Sequence, residues 1–149
     1  MKNAKQYIYL GNPFLESGDM VASLQSHADL KTKHSNKFKL FCVKNQNMPF
    51  PYKKKVFDAV ITTKIFYGCE SWLTDNLKSV ESLYMGAVKS LLGVRKQTPN
   101  NIVLIEAGAA CVKDRVWRQQ KNFLSKKLQD VDEPLTKVFR LCQRENTKG

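Results

Sequence analysis

Acidic residues are scarce in this chain. Thirteen Asp and Glu stand against 25 Lys and Arg, for a formal charge of +12 over 149 residues. The few carboxylates are scattered. Asp58, Glu70, Asp75 and Glu81 read as caps and ion-pair partners, and no two are placed to hold metal ions about 4 Å apart for nucleotidyl transfer. Cysteine is sparse as well. Cys42, Cys69, Cys111 and Cys142 offer no C-x2-C hook for zinc, and each lies among apolar neighbours, as free buried thiols do. His27 and His34 stand seven residues apart, two helical turns, too far to share a metal grip at i,i+4; packing or surface roles suit them better. The sequence has no P-loop, no G-x-G-x-x-G and no arrangement suggesting a Ser-His-Asp or Cys-His site. These absences lead us to expect no disulfide, no metal, no cofactor and no enzyme activity of the chain on its own.

Long hydrophobic runs are missing too. None approaches the roughly 18 residues of a membrane span, and positions 7–10 are too short for the apolar core of a signal peptide. A hydrophobic content of 42% still argues against wholesale disorder. The expectation is one core, no membrane partner, and an intracellular location in cytoplasm or nucleus.

The charge that is present is unevenly placed. Positions 31–64 carry nine lysines against Asp58, whereas positions 1–30 carry a net −1. Such a block attracts phosphate, although it also suits a solvated face or an acidic protein partner. Lys53, Lys54, Lys55, Lys64 and Lys96 are the charge-based candidates for phosphate contacts, which position a nucleic acid without reading its sequence.

The chain is organised around KKKVFDAVITTKIFYGCESW, from Lys53 to Trp72. Its helical stripe is Val56, Ala59, Val60 and Thr63, widened by Phe57, Ile61 and Ile65; Gly68 stops it and Trp72 packs under the next helix. Upstream, Tyr7 to Leu10 reads as a strand and Phe14-Leu15 as its partner, with Asn12-Pro13 in the turn. Ser17 or Asp19 caps a helix from Met20 to about Lys44, with a stripe of Val21, Leu24, Ala28, Phe38 and Phe41 or Cys42 and a lysine stripe on another face. Asn45 to Tyr52 is expected as a loop, because Pro49 and Pro51 flank Phe50. Beyond Trp72, Thr74 or Asn76 caps a helix with Leu77, Val80, Leu83/Tyr84, Ala87/Val88 and Leu91 inward and Gly93 at its end. Thr98-Pro99 opens a short, mostly buried helix through Ile102 to Ile105; Val112 to Gln129 and Leu135 to about Cys142 complete the pattern. The fold class is therefore mainly α, a bundle of about five to six helices with a short N-terminal β-hairpin. Residues 1–18 form the hairpin and 19–149 the helical domain.

Three landmarks carry a resemblance: Tyr9-Leu10-Gly11, then Tyr67-Gly68-Cys69-Glu70-Ser71-Trp72, then Leu91-Leu92-Gly93-Val94. In this order and spacing they resemble the post-palm thumb and connection region of reverse transcriptases from non-LTR (LINE-like) retrotransposons. The similarity spans Tyr7 to about Leu128. It implies a fragment of an RNA-directed DNA polymerase whose thumb grips the template–primer duplex. Tyr9, Leu10 and Gly11 would correspond to the primer-side turn, and Arg95 to a loop between thumb helices that touches nucleic acid. The expected partners are an RNA/DNA template–primer and a palm and fingers portion of the same polymerase. The catalytic aspartates of that family lie before its YLG; only six residues precede Tyr7 here, and none is acidic. That departure suggests a detached tail of such an enzyme. Two alternatives stay open: a basic helical protein–protein module with an acidic partner, and a translated mobile-element remnant without function.

Overall fold

The computed structural model describes residues 5–9 and 11–129. Leu10 and the helix expected over 135–142 lie outside the described residues. The chain is mainly helical and carries a two-stranded hairpin at its N-terminal end.

Strand β1 (Gln6–Tyr9) pairs antiparallel with β2 (Asn12–Leu15), Tyr7 opposite Phe14 and Tyr9 opposite Asn12. This register places the turn between Tyr9 and Asn12, not at Asn12-Pro13. Gly11, at φ 82°, takes a left-handed conformation that glycine adopts without strain. Pro13 is then free to be a strand residue, and it is buried where β2 lies on the first helix.

Helix α1 (Met20–Lys44) has the expected bounds. Asp19 is its cap: the carboxylate accepts from the backbone N–H of Val21 (2.9 Å) and Ala22 (3.3 Å). Its inward residues are Leu24, His27, Ala28, Ser35, Phe38 and Cys42, whereas Val21 is exposed.

The next rod departs most from expectation. Helix α2 (Phe50–Val56) starts three residues before Lys53, because Pro51 sits in the first turn, where a missing N–H costs nothing. A π-helical segment (Phe57–Thr62) follows, then one short turn, α3 (Thr63–Ile65). The buried residues are Phe57, Ile61, Thr62 and Ile65; Ala59, Val60 and Thr63 face out. In an α-helix, residues four apart overshoot one turn by about 40°. Phe57, Ile61 and Ile65, spaced at i, i+4 and i+8, hold one face across the π-helical segment. The expected stripe is thus rotated toward what had looked like its margin.

Gly68, at φ 74°, ends the rod, and a 3-10 turn (Cys69–Ser71) leads to buried Trp72. Helix α4 (Lys78–Leu92) buries Val80, Tyr84, Ala87, Val88 and Leu91. Neither Thr74 nor Asn76 caps it. The Thr74 hydroxyl instead accepts the Asn76 N–H in a local turn, and Leu77 stands at the cap position without a side-chain bond. After Gly93, Val94 N–H returns to the Lys89 carbonyl at 3.1 Å, closing a Schellman motif. Helix α5 (Asn100–Ala107) buries Val103 and Ala107 but leaves Ile102 and Ile105 exposed, so it is one-sided and not mostly buried. Helix α6 (Val112–Gln129) buries Val112 and Val116, while Trp117, Phe123 and Leu124 remain open.

The core lies where α1, the α2–α3 rod and α4 meet. Tyr84 is enclosed between Phe57 (5.7 Å between centroids) and Phe66 (5.2 Å). Phe38 of α1 packs on Phe57 at 5.5 Å. Among the described residues no helix is long and apolar enough to cross a membrane.

Candidate functional site

Two regions position the charged and aromatic residues singled out in the sequence. Both depend on α1 running antiparallel to the α2–α3 rod.

At the hairpin end, Lys64 is brought to Lys31, Lys33, His34 and Lys37 of α1. The charges acting on Lys31 and His34 are all positive. Burial first, then Lys64 and Lys33, lower the pKa of Lys31; burial first, then Lys33, Lys64, Lys31 and Lys37, lower that of His34. Asp29, one turn before Lys33, is engaged by the Gln25 amide at 3.0 Å. Lys31 Nζ donates to the Gly11 carbonyl at 3.4 Å and so ties the hairpin turn to this cluster.

At the other end, Lys39, Lys53 and Lys89 line a groove of about 680 Å³ where the ends of α1 and α4 meet the start of α2. Two of these ammonium groups already hold backbone carbonyls. Lys53 Nζ donates to Gln46 (3.0 Å) and Lys89 Nζ to Lys96 (2.7 Å). The two clusters are about 12 Å apart along α1, from Lys31 to Lys39, and about 16 Å along the rod, from Lys53 to Lys64.

The Lys53–Lys55 run, expected to contact phosphates, does not present three free ammonium groups. Lys53 is held by Gln46. Lys54 lies between 2.6 and 2.8 Å from the Asp58 oxygens, one turn on, and 5.7 Å from the Phe57 ring centroid. Lys55 alone points out. Arg95 and Lys96 are exposed in the α4–α5 connection, on the Lys89 side. Tyr9 and Gly11 lie at the opposite end, beside Lys31. The structure thus separates Arg95 and Lys96 from Lys64, Tyr9 and Gly11.

The Tyr67–Trp72 group is a structural joint. Gly68 adopts a conformation that L side chains rarely take, with Asn12 packed directly against it. The Trp72 ring meets the His27 ring edge-on at 5.3 Å and 71°. His27 Nε2 donates to the Ile65 carbonyl at 2.8 Å, supplying a partner at the end of the rod. This fixes the neutral Nε2–H tautomer, and burial followed by the Lys31 charge lowers the His27 pKa. Gln120 of α6 donates to the Trp72 carbonyl at 2.7 Å, and the Cys69 thiol contacts Gln119 Oε1. Burial, then Glu70, pushes the Cys69 pKa up to about 12. Trp72 is closed to solvent and cannot serve as a stacking platform.

Sequence reasoning missed Lys31 as a link between hairpin and cluster. Only the i−3 spacing of Lys31 and His34 signalled it, and that spacing cannot show which helix faces them. The π-helical segment had no signal in the sequence.

Among the described residues, no three His, Cys, Asp or Glu side chains gather where they could hold a metal ion. No family model, curated protein or solved structure matches this chain.

Proposed function

We propose that the chain is a nucleic-acid-gripping helical module, a thumb-like part of a LINE-type reverse transcriptase, that contacts a template–primer duplex by its backbone and carries out no chemistry itself. The observation that supports this reading is the Lys31, Lys33, Lys37 and Lys64 cluster around His34. Like charges on neighbouring helical turns destabilise a fold by tenths of a kcal/mol each, and surface helices ordinarily mix signs. Here lysines from two helices converge and the charges acting on Lys31 and His34 are all positive. A row of phosphates relieves that repulsion, with no base-specific contacts required. An RNA–DNA hybrid, being A-like, suits recognition by shape and backbone.

The uncovered apolar residues Ile8 of β1 and Trp117 and Leu124 of α6 fit a module that packs against further protein, such as the palm of the same polymerase. They also favour the second reading, a protein–protein module, since Trp117 is open on a helix that carries Arg118 and Lys121. Competition separates the two. A labelled RNA–DNA hybrid is bound to the purified chain and challenged with heparin at equal charge. Retention of the hybrid supports the duplex grip; displacement at equal charge supports a surface for any polyanion.

A further inference from the structure

A groove beside the hairpin has a composition that duplex gripping does not use. It encloses about 770 Å³. Tyr9 and Phe14 of the hairpin, Tyr67 at the end of the rod and Phe123 of α6 line it. Each is more than 40% exposed, Tyr9 at 56% and Tyr67 at 48%. Four rings from three elements, left open around one depression, form a surface on which flat groups can stack. Tyr7 and Tyr9, two residues apart on one face of β1, lie nearly parallel (22°) at 6.5 Å and extend it.

Charge stands at one rim. Lys31 Nζ and the Tyr67 ring flank Gly11, and Lys64, three residues before Tyr67, acts on Lys31. Glu70 is the acidic residue of the lining, beyond the Gly68 stop, so phosphates are favoured on the lysine side. The wall between hairpin and rod includes Asn12 and Thr62, where the π-helical segment ends. Asn12 Oδ1 and Thr62 Oγ1 have no hydrogen-bond partner among the described residues. Irregular π turns recur at functional sites.

We infer that this groove takes the bases of an unpaired nucleic-acid strand, one or two at a time, with the flanking phosphates on Lys31 and Lys64. The inference rests on the nucleic-acid reading above and adds a single-stranded subsite that shares Lys31 and Lys64 with the duplex cluster. Bare phosphates would need only the lysines, and an apolar peptide would need no cationic rim. Rings beside ammonium groups fit a nucleotide.

The test compares three probes on the full chain: a 12-nucleotide oligothymidylate, an abasic strand of the same length, and a blunt RNA–DNA hybrid. The base-bearing strand should bind about ten-fold tighter than the abasic one, as one or two stacked bases predict. The double variant Tyr9→Ser, Tyr67→Ser should bind both strands alike. Both side chains are exposed, so the fold is retained, and Tyr9→Phe with Tyr67→Phe should keep the discrimination. Equal affinity of wild type for the two strands overturns the inference. In that case the duplex reading stands if the blunt hybrid still binds in preference to heparin. Failure of wild type to bind any of the three probes overturns both.

Discussion

Replacing Gly68 by alanine isolates the joint on which the hairpin, the rod and α6 converge. Two costs are expected. At φ 74° an L side chain is strained, by about 1–2 kcal/mol. A Cβ there would also collide with the amide nitrogen of Asn12 and stand 3.0 Å from its Cγ. Asn12 is half-buried under Gly68 and its strand is fixed by pairing with β1, so the amide must rotate out of its seat at about 1 kcal/mol more. The sum, about 2–3 kcal/mol, corresponds to a fall in melting temperature of roughly 5–10 °C for a chain of this size. Gly68→Ala in an Asn12→Ala background should lose only the backbone part, so the double-mutant cycle should show a favourable coupling of about 1 kcal/mol. Thermal unfolding followed by circular dichroism measures all four species. A single variant that melts within a degree or two of wild type, or a cycle with no coupling, would refute the account of the joint.

Lys53→Ala, Lys54→Ala and Lys55→Ala together should weaken hybrid binding less than Lys33→Ala, Lys37→Ala and Lys64→Ala together, because Lys53 and Lys54 are engaged by Gln46 and Asp58; filter binding at fixed salt compares the two triples. His27 should make the fold acid-sensitive. Its folded pKa lies below the ordinary 6.5, so its contribution is present above about pH 6.5 and is lost as pH falls through that value toward the folded one. Urea midpoints between pH 7.5 and 5 should fall less steeply for His27→Gln than for wild type. Among Cys42, Cys69 and Cys111, iodoacetamide at pH 8 should modify half-buried Cys111 first and Cys69 last, since a thiol with a pKa near 12 is scarcely ionised there; peptide mapping against time reads the order.

Much of the fold was legible in the sequence because local rules and packing agree there. Asp19 capping α1, the glycine stops at 68 and 93, and the 3.6 periodicity of α4 each follow from one or two residues and held in the structure. The misreadings arose where tertiary packing decided between local options. Pro51 could break or begin a helix, and burial of Phe57 against Phe38 and Tyr84 goes with beginning one. Two overlapping apolar stripes fit the α periodicity of this rod, and packing on Phe38 and Tyr84 selects the one through Phe57. The hairpin turn slid to Gly11 because Pro13 could be buried on α1. The candidate site was legible as charge but not as geometry. The lysine-rich block was plain, yet the residues that meet are Lys31, Lys33, Lys37 and Lys64, from segments some thirty positions apart. The adjacent lysines at 53 and 54 turned inward to partners of their own.

The most direct measurement of the central claim is the salt dependence of hybrid binding by the whole chain. Four lysines on phosphates should give a slope of log Kobs against log salt of about −2.8 to −3.6, from roughly 0.7–0.9 per contact. Lys64→Ala should reduce it by about one contact. A wild-type slope near zero, or one unchanged by loss of Lys64, would contradict the assignment of this cluster to a nucleic-acid backbone.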